Sequence, residues 1–293
     1  MQTYHYEQVC PPPPLSDRIE CFWRLLAPTM PPPSEIISAE GRAEILFQFE
    51  GRSQALPFDE DLVFECASSW LVRPFASAMC VRQVGVSASA MIGVRFSPAG
   101  WAAFCHNDTT DNQPYSLMPL SHFYAPGDVR VLEEQLYHAL HTPQWAYPLV
   151  AFFLRRRIEQ THFDRVAYAA RQLRQRQISV AALASNVNLS ERQFGRVFRQ
   201  LVGLSPKQYA RIARLERILY SPTPDNNGLT LEQLALRYGY YDAPHLVREF
   251  RALVGVSPVD YFSGYYDLIE QKTREHDRFL QCDPDTMSIS FNK

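Results

Sequence analysis

Arginines recur at matched positions in two segments of the chain that lie 52 residues apart. Arg196 and Arg199 in the first segment correspond to Arg248 and Arg251 in the second. A guanidinium group is permanently charged and presents a planar fork of N–H donors, so it can bind a phosphate or both acceptors on a guanine edge. The spacing therefore points to a polyanionic ligand that two similar units contact.

The two segments belong to an internal repeat. Residues 198–209 read FRQLVGLSPKQY and residues 250–261 read FRALVGVSPVDY. A repeat of this kind predicts two copies of one structural unit. Each copy follows a short apolar helix, a tight turn and a second helix with arginine on one face, which is the sequence pattern of a helix-turn-helix.

The first copy can be interpreted residue by residue. Ser179 precedes a short apolar helix, and Ser190 opens the second helix, with Gln193 placed to complete a capping box. We expect this helix to end at Gly203, which favours the left-handed conformation. Helical spacing gives the second helix a buried stripe of Phe194, Val197, Phe198 and Leu201. Its outward side chains are then Arg192, Arg196 and Arg199.

The second copy repeats the pattern with one extra residue in its turn. Residues 229–235 match residues 178–184 at an offset of 51, and the offset becomes 52 after the turn at Gly239. Asp242 is placed to cap the second helix. Between the copies, residues 207–220 predict one amphipathic helix. At about 1.5 Å per residue it spans about 21 Å, enough to hold two recognition helices in successive major grooves.

Residues 164–264 resemble the DNA-binding domain of the AraC/XylS family of transcription regulators. The resemblance rests on LSERQFGRVFRQLVGLSPKQY, ARLERIL and LALRYGYYDAPHLVREFRALVGVSPVDY. It implies two recognition helices in adjacent major grooves. The base-facing residues that it implies are Arg192, Gly195 and Arg196 in the first helix and Ala243, Pro244, His245 and Arg248 in the second. The predicted DNA-binding set also includes Ser190, Arg199 and Arg251, of which the two arginines bind phosphates or pair with a neighbouring acid.

Three of these positions depart from the polar residues often found in the family. Gly195, Ala243 and Pro244 have no side-chain donor, so they either permit close approach to the DNA or touch a thymine methyl group. An alternative applies to any single amphipathic helix with outward arginines, since such a helix is commonly a solvated surface. The two matched copies favour DNA contact over that alternative.

The charge distribution divides the chain. Residues 1–149 carry 8 basic and 16 acidic side chains, a net charge of −8, whereas residues 150–265 carry 17 basic and 9 acidic, a net charge of +8. A basic segment suits phosphate contact and an acidic one should avoid it. The predicted organisation is an effector-sensing domain (1–140), a helical linker (141–162), the DNA-binding domain (163–265) and a tail (266–293). Within the linker region, residues 145–159 predict a helix.

The N-terminal region shows short alternating runs at residues 44–50, 70–72, 80–86 and 91–96, which predict strands, and helical patterns at 101–105 and 129–140. The predicted fold class is therefore α+β, with an N-terminal β-rich, barrel-like sensor domain that includes helices and an all-α C-terminal domain. The region also resembles, more weakly, the N-terminal sensor domains of some AraC-family proteins. The predicted effector-binding residues are Trp23, Arg95, Phe96 and Trp101, with core packing as the alternative.

Several classes of site are not indicated. The six cysteines show no paired spacing, which favours reduced thiols over disulfides or a metal site, and His138 and His141 lack a third ligand. We therefore predict no catalytic residue, no metal and no cofactor. The first residues lack a signal-peptide pattern and no apolar run could span a bilayer, so we expect a cytoplasmic protein, associated with the nucleoid when bound to DNA.

The sequence thus predicts a DNA-binding transcription regulator, an activator, that is not an enzyme. Its expected partners are promoter or operator duplex DNA, RNA polymerase, a small-molecule or protein effector and a second copy of the chain, with no membrane partner. Two alternatives stay open. One is an enzyme domain fused to a DNA-binding module, and the other is an architectural protein that uses the arginines without reading sequence.

Overall fold

The computed structural model describes residues 5–27, 34–57, 63–66, 68–84, 89–105, 117–219 and 229–263. Strands occupy the described chain as far as Pro119, and α-helices occupy it from Pro126 onward. The expected α+β class, with a β-rich N-terminal part and a helical C-terminal part, is therefore confirmed. No helix in the described ranges is long and apolar enough to cross a membrane.

The strands form two antiparallel sheets. They are β1 (His5–Val9), β2 (Ile19–Ala27), β3 (Ser34–Ile37), β4 (Glu44–Glu50), β5 (Arg52–Pro57), β6 (Phe64–Glu65), β7 (Ser69–Val72), β8 (Met79–Val84), β9 (Ser89–Phe96) and β10 (Leu117–Pro119). The larger sheet has the order β1-β2-β9-β4-β7-β10 and the smaller has the order β3-β8-β5-β6. A turn at Gly51, which has a φ of 85°, joins β4 of one sheet to β5 of the other.

The two faces of the larger sheet differ in burial. Ile92, Val94 and Phe96 alternate along β9 and are fully buried, whereas Met91 and Arg95 on the opposite face are only partly buried. The buried face forms one hydrophobic core with two helices, α1 (Pro126–Ala139) and α2 (Tyr147–Leu154). Alternation with a period of two residues produces this division. The face of the larger sheet that bears Arg95 is therefore the less buried face and the one that carries polar side chains.

The predicted helix over residues 145–159 is wrong at its C-terminal end, because α2 ends at Leu154. The following residues turn back onto the N-terminal domain. Arg157 Nη2 lies 3.0 Å from Asp17 Oδ2, and the N–H of Ile158 donates to the carbonyl of Ala103 at 2.9 Å. Tertiary contacts thus end the helix before its apolar and basic pattern does. Similarly, the predicted helix at 101–105 is a short 3-10 turn, Gly100–Ala103.

The C-terminal part consists of seven helices in the described ranges. They are α3 (Phe163–Gln175), α4 (Val180–Asn186), α5 (Glu191–Val202), α6 (Pro206–Leu219), α7 (Leu231–Arg237), α8 (Ala243–Val254) and α9 (Pro258–Ser263). We call α4 with α5 the first unit and α7 with α8 the second unit. We call α6, which lies between the two units in sequence, the linker helix. It is distinct from the helical linker predicted at residues 141–162. One hydrophobic core runs through both units and also includes Ala39, Ala99 and Ala102 of the N-terminal domain.

Some predictions fall outside the described residues. These are the tail at 266–293, the end of the predicted strand at 85–86 and the last residue, 220, of the helix predicted between the two copies.

Candidate nucleic-acid interface

The start of α5 is fixed by Ser190. Its Oγ accepts a hydrogen bond from the N–H of Gln193 at 3.2 Å, and Gly203 ends the helix with a φ of 92°. A capping box consists of two hydrogen bonds, and of the box predicted at Ser190 only this bond is found among the described contacts of α5. A full capping box forms instead at α7, between Thr230 and Gln233. Both devices satisfy amides that a helix start leaves free.

The first recognition helix, α5, has one buried and one exposed side. Phe194 and Phe198 are fully buried beside Leu201. The opposite side exposes its three arginines, Arg192, Arg196 and Arg199. Gly195 lies on the same side, and a Cβ added there would meet no atom within 4 Å. The helix therefore presents charge around a position where another molecule can approach the backbone closely.

The second recognition helix, α8, begins at Asp242, whose Oδ1 accepts from the N–H of His245 at 2.7 Å. Pro244 lies in the first turn, where the missing N–H removes no intrahelical bond. Pro244, Arg248 and Arg251 are exposed, and Leu246 is buried. Both copies therefore direct two arginines outward at the same repeat positions.

Two predicted contacts of α8 are less accessible than their equivalents on α5. Ala243 is buried, with 7% of its surface exposed. The ring of His245 is half-buried and packs edge-on against Tyr240, with 5.4 Å between ring centroids. The exposed surface of α8 is consequently concentrated on Pro244 and the arginines.

A buried carboxylate that the sequence did not lead us to predict holds α8 against α6. Glu249 Oε2 accepts from Arg211 Nε at 2.8 Å, and Glu249 is only 8% exposed. The equivalent residue of the first unit is Val197, an apolar core residue. The repeat itself contains the signal, since a carboxylate replaces valine at a position of the apolar stripe.

The turns of the two units share one backbone feature. Asn188 and Gly239 occupy equivalent places and both adopt left-handed φ values, 54° and 74°. The second turn is crowded, because a Cβ at Gly239 would lie 2.0 Å from Nε2 of Gln177. That same nitrogen donates to the carbonyl of Tyr238 at 3.1 Å. Gln177 thus links the segment before the first unit to the turn of the second.

Tyr241, just before α8, is a second residue of the candidate interface that the sequence did not lead us to predict. It is 93% exposed and precedes the cap residue Asp242. It is the extra residue of the second turn, because the N–H groups of Leu189 and Tyr240 donate to the equivalent carbonyls of Ala184 and Ala235. An aromatic ring this exposed beside a recognition helix adds apolar surface to the candidate interface.

The four predicted effector residues do not converge. Trp23 and Arg95 share one face of the larger sheet, and Trp23 lies flat over Gly93, where a Cβ would be 2.0 Å from its ring. Phe96 is on the opposite, core face and packs against Phe104 with ring centroids 5.8 Å apart. Trp101 lies in the 3-10 turn at the end of that core.

Arg95 is paired within its own domain. Its Nε donates to Oε1 of Glu44 at 2.5 Å. Burial alone would lower the pKa of Arg95, but nearby acidic groups, chiefly the Glu44 carboxylate, together raise the pKa above its usual value. Arg95 therefore stays charged, and its charge is balanced locally.

The expectation of reduced thiols is wrong for Cys10, which takes part in a disulfide. Cys21, Cys66, Cys80 and Cys105 are free. Burial raises the pKa of Cys21 to about 11 and that of Cys105 to about 12. Both thiols are therefore poor nucleophiles near neutral pH. The described residues contain no cluster of three His, Cys, Asp or Glu side chains that could hold a metal ion.

Comparison with known protein families gives two matches. Residues 183–264 match a family described as Helix-turn-helix domain, and residues 7–113 match one described as Domain of unknown function (DUF6597). The chain carries an AraC-type helix-turn-helix domain. The protein is accordingly a DNA-binding transcription regulator, and the matched residues include α5 and α8. No curated protein matches the chain.

Solved structures show a weaker likeness. ToxT from Vibrio cholerae O395 is 10% identical, with a TM-score of 0.45 over 83% of this chain and 98% of ToxT. The DNA-binding domain of the global transcriptional factor AdpA, solved with a target DNA, is 28% identical to the part of this chain that it matches. Its TM-score is 0.31 over 39% of this chain and 99% of AdpA's domain.

Proposed function

We propose that this protein is a transcription activator that recognises a specific DNA sequence by placing α5 and α8 in successive major grooves. The observation that carries the proposal is the matched exposure of Arg196 and Arg248 at equivalent repeat positions. Each guanidinium could bind O6 and N7 of a guanine. Arg192 would add a base contact, while Ser190, Arg199 and Arg251 would bind phosphates.

The remaining α8 contacts follow from its surface. Pro244 is exposed and would touch a thymine methyl group or the sugar edge, and half-buried His245 would reach the groove only at its rim. Ala243 would act by allowing close approach, because its own side chain is covered. Gly195 would do the same on α5, where the space around it is open.

We further propose that a small-molecule or protein effector acts on the N-terminal domain. Trp23 and Arg95 support this, since they share the more polar face of the larger sheet and Nε1 of Trp23 is buried without a hydrogen-bond partner in the described chain. Phe96 and Trp101 would support that face from the core. RNA polymerase and a second copy of the chain are the proposed protein partners. Exposed apolar side chains on and beside α1 and α2 support self-association, namely Val131, Tyr137, Tyr147 and Leu154.

The test begins with duplexes selected from a random pool by the full-length protein. Arg196→Ala and Arg248→Ala should each weaken binding to the selected duplex by about 1–3 kcal/mol and relax sequence preference in different half-sites. Arg171→Ala, an exposed arginine of α3 outside both units, is the matched control and should leave the preference unchanged. Dissociation constants at one fixed salt concentration provide the measurement.

Equal losses on the selected duplex and on random duplex would contradict base recognition by these arginines. They would favour the architectural alternative. The activator assignment is checked with a promoter that carries the selected site. Transcription in the presence of the protein should rise, and a fall would make it a repressor.

A further inference from the structure

The N-terminal domain caps the end of the second recognition helix. The N–H of Ala39 donates to the carbonyl of Leu253 at 2.7 Å, and the N–H of Ala78 donates to the carbonyl of Ala252 at 3.4 Å. Both carbonyls belong to the last turn of α8, where a helix has no N–H partners of its own. Two backbone N–H groups of the N-terminal domain therefore donate directly to carbonyls at the end of α8.

The same domain also contacts the end of the first recognition helix. At Gly203, which ends α5, a Cβ would lie 3.5 Å from Cδ of Pro74 and 3.8 Å from the ring of Trp101. The 3-10 turn that contains Trp101 packs against α5. Ala99 and Ala102, at this turn, belong to the hydrophobic core of the helical part.

A third contact reaches the linker helix α6. Gly41 lies against it so closely that a Cβ would be 3.1 Å from the ring of Tyr209 and 3.7 Å from Ile212. We call residues 39–42, 74–78 and 100–103 the brace. Small residues are frequent in it, which lets its backbone approach the helices.

Charged side chains of alternating sign continue the contact between the domains. Arg42 Nη1 donates to Glu20 at 3.0 Å, and Arg42 is almost completely buried. Glu20 in turn lies 3.6 Å from Arg174 of α3, and Arg174 lies 3.2 Å from Glu216 of α6. Removing one member would leave a partner charge uncompensated. The arrangement therefore favours one docked position of the brace.

These contacts connect α5 and α8 by two routes, through α6 and through the brace. The linker helix α6 packs against α5 and α8, and the brace contacts the ends of both. α6 and the hydrophobic core that both units share already join them, and the brace adds a further connection that restricts bending and rotation of one unit relative to the other. Arg196 and Arg248 are exposed with the N-terminal domain docked, so the brace does not cover the proposed DNA-binding surface.

We infer that the brace residues Ala39, Gly41 and Ala78, together with Arg174, are positioning residues that hold the two recognition helices at one separation and so determine which half-site spacing the protein accepts. The inference rests on the proposed two-helix recognition of DNA. It also gives the N-terminal domain a route of control, since an effector that moved the brace would change the preferred spacing.

The test uses full-length protein and a duplex selected from a random pool by the wild type. Derivatives of that duplex carry half-sites separated by one base pair fewer, one more, two more or five more, and a further duplex carries one half-site only. One added base pair moves the half-sites by about 3.4 Å and rotates them by about 35°. Wild-type affinity should fall by about tenfold for one added base pair, the equivalent of about 1.4 kcal/mol.

Gly41→Leu places a side chain where Tyr209 and Ile212 already lie, so it should displace the brace. Its affinity should fall by less than about threefold for one added base pair, with unchanged affinity for the single half-site. Gly127→Leu is the matched control, because Gly127 on α1 has open space around it and should keep the wild-type profile. Gly41→Ala, a smaller intrusion, replaces Gly41→Leu if that protein does not fold.

Arg174→Met offers an independent disruption, and Arg174→Lys should restore the narrow profile because it keeps the charge between Glu20 and Glu216. An unchanged spacing profile in both Gly41→Leu and Arg174→Met, with the variants folded, would overturn the inference. A uniform loss of affinity that includes the single half-site would also overturn it, because the residues would then be merely structural. Failure to select any duplex would instead reject the proposed sequence-specific function.

Discussion

The two helix-turn-helix units arise from one repeated pattern, yet the structure fixes them in different ways. In the first unit, α5 is held by an apolar stripe and leaves three arginines exposed. In the second, α8 is tied to α6 by Glu249 and to the N-terminal domain through its last carbonyls. Equal sequence patterns therefore do not imply equal contacts. The second unit is held to its neighbours by an ion pair and backbone hydrogen bonds, while the first meets the N-terminal domain through apolar packing at the end of α5.

The largest expected effect comes from breaking the ion pair that only the second unit has. Arg211→Met leaves the buried Glu249 carboxylate without its cation, so the free energy of unfolding should fall by about 2–3 kcal/mol. This loss is at or below the lower end of the range for buried ion pairs, because Arg211 is partly exposed. Urea denaturation measures this change.

The control is the double variant Arg211→Met/Glu249→Val, which gives α8 the valine that α5 has at position 197. It should recover most of the lost stability, since an apolar replacement of the whole pair is often neutral. A double variant that is as unstable as Arg211→Met would show that Arg211 contributes through something other than Glu249.

A smaller effect distinguishes the two turns. Gly239→Asn copies the first turn into the second, but its Cβ would displace Gln177 and break the bond to Tyr238. We expect a loss of about 1–2 kcal/mol in the free energy of unfolding. The reverse change, Asn188→Gly, should stay within about 0.5 kcal/mol, because glycine readily adopts the left-handed conformation.

Thermal unfolding of the two single variants gives the comparison. Similar losses for both would mean that the turns are equivalent and that the contact with Gln177 contributes nothing.

The smallest expected effect is on the pH dependence of stability, and it comes from Glu216, the α6 carboxylate that pairs with Arg174 of α3. Burial raises the pKa of Glu216, although Arg174 acts in the opposite direction. The folded state therefore holds this proton more tightly than the unfolded chain. The stability that it contributes is complete below the unfolded pKa of about 4.3 and is lost as pH rises through the folded pKa.

Glu216→Gln removes that titration. The free energy of unfolding of the variant, minus that of the wild type, should increase as pH rises from 4 towards neutrality. Denaturant titrations at several pH values measure this difference. A difference independent of pH would contradict the raised pKa.

The sequence was sufficient for features that depend on local pattern. Caps at Ser190 and Asp242, the helix end at Gly203 and the strand at residues 44–50 follow from residue type and short-range periodicity, and the structure confirms them. The chemistry of α8 was harder to predict. Ala243 is buried and His245 is covered by Tyr240, and both depend on tertiary packing.

Features that depend on distant partners were not predictable. Glu20 and Arg174 are far apart in sequence, and nothing local pairs them. Glu249 was visible as a charged residue in an apolar stripe, but its partner on α6 was not. Phe96 is predicted as an effector-binding residue together with Arg95, but neighbours in a strand face opposite ways, and the structure places Phe96 in the core.

The tryptophans divide the molecule spectroscopically. All four, Trp23, Trp70, Trp101 and Trp145, precede α3, and all are at least nine-tenths buried. Intrinsic indole fluorescence therefore arises from the part of the chain that precedes α3, while far-ultraviolet circular dichroism is dominated by the helices that follow. Trp101 additionally faces the end of α5. Unfolding curves recorded by the two methods would coincide only if both domains melt together, and undocking should first alter the emission of Trp101.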